Sequence, residues 1–137
     1  MTVETYYQDQ WLKPQKIVDT TDAAAVITTA GAATYTAAQV IGGVILRDPN
    51  GAGRTDVLPT AALLIGAMRA PRIGDTIEVL VINTADAAET ITMSAGSGGA
   101  FPTEQIAATR IIPQNTSRRV LIRVTGVGSA AAYVCVM

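Results

Sequence analysis

Residues 75–84 read Asp75-Thr-Ile-Glu-Val-Leu-Val-Ile-Asn-Thr84, a run dominated by β-branched and aliphatic side chains. Alternation places Ile77, Val79 and Val81 on one face and Glu78, Leu80 and Ile82 on the other. A strand apolar on both faces belongs at the centre of a sheet or under cover on both sides. Downstream, 83–88 reads as a turn and Glu89–Ser94 as a strand with Thr90 and Thr92 outward. Ala95–Pro102 is a Gly/Ser loop whose Gly96-Ser-Gly-Gly99 suits a hairpin connection. Ile106–Ile112 is a short strand stopped by Pro113, and 114–117 is a turn. Arg118–Thr125 alternates with Val120, Ile122 and Val124 inside and Arg119, Leu121 and Arg123 outside, and Ala131–Met137 closes the chain as a strand.

Upstream, Arg69-Ala-Pro-Arg72 is a break, preceded by the one helix that the pattern predicts, Leu58–Met68. Pro59 suits its first turn, and Ala61, Leu64, Ile65 and Met68 repeat at helical spacing. Ala62, Leu63 and Ala67 make the opposite side apolar as well. Such a helix is enclosed either by its own core or by the same helix of neighbouring subunits around a symmetry axis. Asp48-Pro-Asn-Gly-Ala-Gly53 is a loop, and Ala25–Thr29 and Thr34–Leu46 read as strands, the second interrupted at Gly42-Gly43. Short strands between turn signals predict an all-β domain over 21–137, an antiparallel β-sandwich or jelly-roll-like barrel with one short apolar helix.

The 137 residues are 49% hydrophobic and only 15% charged, with no histidine and a single cysteine. Lacking histidine, the chain lacks the commonest general base and the usual zinc ligand. Asn50-Gly-Ala-Gly-Arg54 has neither P-loop spacing nor a following helix, so no nucleotide site is read there. Asp86 and Glu89 flank a turn that could hold Ca²⁺, but they read better as solvated turn residues, and no metal or other cofactor is expected. Cys135 sits in an apolar run as a buried small hydrophobe. A net charge of −1 offers no basic face to nucleic acid or to an anionic membrane, and no run approaches the ~20 apolar residues of a membrane helix. Met1–Gln10 is polar and acidic where a secretion leader is basic and then apolar, which points to synthesis in the cytoplasm. Eight of the ten cations are arginines, the cation most tolerant of interfaces. Arg47 with Asp48 and Arg54 with Asp56 bracket one loop and can pair within or between subunits.

Residues 1–20 differ in texture, holding Tyr6, Tyr7 and Trp11, half of all the aromatics, with both lysines, Lys13 and Lys16. They read as an extended N-terminal arm. Its aromatics either staple the arm to its own domain or anchor the chain on a partner.

The phrases Gly42-Gly-Val-Ile-Leu-Arg-Asp-Pro-Asn-Gly-Ala-Gly-Arg-Thr-Asp-Val-Leu-Pro-Thr-Ala-Ala-Leu-Leu64, Gly74-Asp-Thr-Ile77 and Val81-Ile-Asn-Thr-Ala-Asp-Ala-Ala-Glu-Thr-Ile-Thr-Met-Ser-Ala-Gly96 resemble the small structural proteins of tailed bacteriophages, above all head decoration (cement) proteins. The resemblance covers roughly 21–137 and implies a non-enzymatic, β-rich homotrimer on the outer capsid surface that reinforces contacts between capsomers. The expectations are then a capsid-binding set, Tyr6, Tyr7, Trp11, Lys13 and Lys16, facing the major capsid protein, and a trimer interface at Leu63, Leu64, Met68, Arg47 and Arg54. The alternative is a host-glycan-binding domain of a head or tail fibre, which the scarcity of aromatics beyond the arm disfavours.

Overall fold

The computed structural model describes residues 24–137; the N-terminal arm and its aromatic and lysine side chains lie outside the described residues. Among the described residues nine strands form two sheets: β1 Ala25–Ile27, β2 Val44–Arg47, β3 Arg54–Val57, β4 Thr76–Asn83, β5 Ile91–Ser94, β6 Gly99–Ala100, β7 Ile111–Ile112, β8 Ser117–Gly126 and β9 Ala132–Val136. The larger sheet has the order β1-β2-β4-β8-β9-β6 and the smaller β3-β5-β7. The stretch 75–84 therefore holds the position its pattern predicts, as a strand with neighbours on both sides.

The strand-rich, two-sheet architecture agrees with the sequence, but its pairing does not follow the antiparallel expectation. β1–β2, β2–β4, β3–β5 and β6–β9 run parallel, while β4–β8, β5–β7 and β8–β9 are antiparallel. The connections explain the difference. A parallel pair needs a long crossover, and the link from β1 to β2 carries a helix, α1, Ala37–Gly42. That segment reads as strand by composition, yet Thr36 and Gln39 form a reciprocal capping box and Gly43, at φ +90°, ends the helix in the left-handed conformation. The Gly42-Gly43 interruption is thus a helix end. The Gly96–Gly99 turn likewise leads from the small sheet to the large one and is not a hairpin.

The second helix, α2, spans Ala61–Ala67 and starts at the Thr60 cap, whose hydroxyl accepts from the Leu63 amide, so Pro59 precedes the helix. Residues 107–109 form a 3-10 turn within the stretch read as strand 106–112. One core joins both sheets and both helices: Ile45, Val79, Val81, Val120, Ile122, Val124 and Cys135 from the large sheet, Ile91, Met93 and Ile112 from the small one, and Val40, Leu64 and Ile65 from the helices. Tyr133 crosses this core. Its hydroxyl donates to the Pro59 carbonyl at 2.9 Å and accepts from the Gly96 amide at 3.0 Å. A Cβ on Gly99 would lie 2.1 Å from the Tyr133 ring, so only glycine admits β6 beside β9.

Candidate assembly surfaces

The two fully buried charged residues, Arg47 and Asp56, are spent on structure. Arg47, at the end of β2, is fully buried with Asp56 of β3, Nε to Oδ2 at 2.7 Å. Its remaining donors reach the carbonyls of Thr29, Gly31 and Asp48. Asp56 also accepts from the Tyr35 hydroxyl at 2.9 Å and the Ala33 amide at 2.8 Å. The ion pair thus ties β2 and β3 to the 29–35 segment. Burial, and secondarily the Asp56 charge, push the Tyr35 phenol far above its ordinary range, which keeps it a neutral donor. Burial also pushes the Cys135 thiol up to about 12 and the Tyr133 phenol up to about 12. A protonated, enclosed thiol is a packing group, not a nucleophile. Among the described residues no three His, Cys, Asp or Glu side chains converge as metal ligands.

Two apolar surfaces stand out instead. In α2, Ala61, Leu64 and Ile65 turn into the core while Ala62, Leu63, Gly66 and Ala67 face outward, Leu63 being 65% exposed. The helix forms a ridge between two hollows. One, of about 540 Å³, lies towards the start of α1; the other, of about 270 Å³, is lined by Ala62, Gly66, Met68 and Pro71.

The second surface is the outer face of the large sheet. Strand alternation and register line up Val26, Leu46 and Ile82 across β1, β2 and β4, with Val44 and Leu80 one pleat along. On β8 and β9 the same face continues through the Leu121–Val136 and Arg123–Val134 pairs. Val26 is 66% exposed, and Leu121, Val134 and Val136 are exposed too. The exposed Arg119–Glu78 ion pair, 3.3 Å apart, and Arg123 are the charged groups on β4 and β8 there. This face was legible in part, in the two-sided apolar pattern of 75–84; the contribution of β1 and β2 was not.

Of the predicted interface residues, Leu63 is exposed and Met68 and Arg54 are half-buried. Leu64 and Arg47 are withdrawn from any surface: Leu64 packs in the core and Arg47 is consumed by Asp56 within the subunit, so neither side chain can touch another chain. Glu89 is also no solvated turn residue. It is 6% exposed, and its Oε1 accepts from the Gly51 amide at 2.7 Å, joining the 48–53 loop to the start of β5. Tyr6, Tyr7, Trp11, Lys13 and Lys16 lie outside the described residues. No protein-family model, curated protein or solved structure matches the chain. The surfaces themselves must therefore carry the functional reading.

Proposed function

We propose that the chain is a non-enzymatic capsid decoration (cement) protein, a homotrimer on the outer surface of a phage head that stabilises contacts between capsomers. The observation that supports this reading is the apolar outer face of the large sheet, which among the described residues is exposed at Val26, Leu121, Val134 and Val136. Parallel strands are ordinarily covered on both faces; here β1, β2 and β4 bury one face in the core and carry on the other the exposed Val26 and the half-buried Val44, Leu46, Leu80 and Ile82. The side of α2 that carries Ala62, Gly66 and Met68 offers a second apolar contact. A subunit with two such surfaces is suited to lasting contacts. Covering one exposed leucine contributes about 1.5–3 kcal/mol, and tethering three subunits multiplies weak contacts with a shell into avid binding.

Sedimentation at micromolar concentration should give a trimer; a stable monomer overturns the oligomer. Added to phage heads that lack it, the protein should coat them and raise the temperature at which they release DNA. Heads that stay uncoated overturn the decoration reading.

A further inference from the structure

The larger hollow beside α2 is bounded by Thr36, Ala37, Ala38, Pro59, Leu63 and Ala67, and no charged side chain lines it. At about 540 Å³ it is of the size that takes a drug-sized apolar ligand or a small group of aromatic rings. Every aromatic side chain among the described residues is already engaged: Tyr35 with Asp56, Tyr133 with Pro59 and Gly96, and Phe101 beneath the Arg110 guanidinium at 4.7 Å. The other three aromatics of the sequence, Tyr6, Tyr7 and Trp11, fall together in the 23 residues ahead of Ala24.

We propose that Tyr6, Tyr7 and Trp11 seat in this groove of their own subunit, strapping the N-terminal segment across α1 onto α2. Reach permits it. Ala25 pairs with Ile45, which follows closely on the end of α1, and the groove opens at the start of that helix. The path from Ala25 is about 25 Å at most, from the strand spacing, the short link and the length of α1. The twelve residues between Trp11 and Ala24 extend to about 40 Å. Polarity permits it as well. Aromatic rings bring large apolar area at low entropic cost, and their O–H and N–H groups can point at the threonine rim. The strap leaves Ala62, Gly66 and Met68 on the other side of α2 open. The inference does not rest on the capsid reading; it follows one of the two uses that the sequence leaves open for these side chains.

Trp11 is the only tryptophan, so its fluorescence in the full-length protein reports its surroundings directly. The seated state predicts blue-shifted emission with at least about tenfold protection from acrylamide relative to free tryptophan. Leu63→Lys and Ala67→Glu, both at exposed positions, should each shift the emission to the red and remove that protection, whereas Ile106→Lys, outside the groove, should change neither. Emission typical of free tryptophan in the parent protein, or blue emission indifferent to both groove variants, overturns the proposal. To identify the host subunit, Tyr7→Cys is combined with Ala38→Cys and oxidised. An intrachain crosslink supports the strap, and a crosslink between chains overturns it in favour of a second copy as host. Failure to coat phage heads with the strap intact would leave this inference standing while sinking the decoration reading.

Discussion

Arg47 sits where a sheet-lining aliphatic residue would otherwise stand, and its guanidinium is satisfied by Asp56 and three backbone carbonyls. Removing one member of a buried pair strands the other charge, so Arg47→Ala should cost about 3–5 kcal/mol, read from urea unfolding. Tyr35→Phe removes one hydrogen bond to Asp56 and should cost about 1–3 kcal/mol. The buried acids set a second expectation. Cys135 rises from an ordinary 9.0 to about 12 and Tyr133 from 10.0 to about 12, so the unfolded chain loses these protons first as pH rises. Their contribution to stability is complete below about pH 9 and declines from there towards pH 12. Urea midpoints should fall over that interval, and Cys135→Ala with Tyr133→Phe should flatten the decline.

At the scale of elements, α2 separates two adjacent leucines. Leu64 has no exposed surface and Leu63 has most of its own. Leu64→Asp would bury an unpaired charge and should cost more than about 4 kcal/mol, abolishing the cooperative thermal transition, while Leu63→Asp should retain it. A circular dichroism melt of the two variants distinguishes them. The helical period of 58–68 already assigns Leu64 to the inner stripe. Treating the whole helix as a contact between subunits overlooks that seven residues suffice to bury one side. α1 was equally open to reading through Thr36, Gln39 and the two glycines, but β-rich composition around them outweighs a local cap in any periodicity argument.

For the whole molecule, the outer sheet face should be separable from folding. Leu121→Lys with Val136→Lys changes two exposed, directly paired neighbours on β8 and β9. The double variant should keep the parent urea midpoint, yet sediment as a smaller species or fail to coat phage heads. Parent-like behaviour in both assays would show that this end of the face is not a contact.

The strand character of 75–84 and 118–125, their inward and outward sets, the packing role of Cys135 and the scarcity of catalytic groups all follow from residue type and spacing, because a period of two acts between near neighbours in the chain. Pairing direction, the Arg47–Asp56 bridge and the burial of Glu89 depend on which distant segments meet. Arg47 and Asp56 lie on strands of different sheets, and nothing in either local pattern names the other. Long-range register emerges from packing a single core, so charges that look like surface groups in the chain become internal ties in the fold.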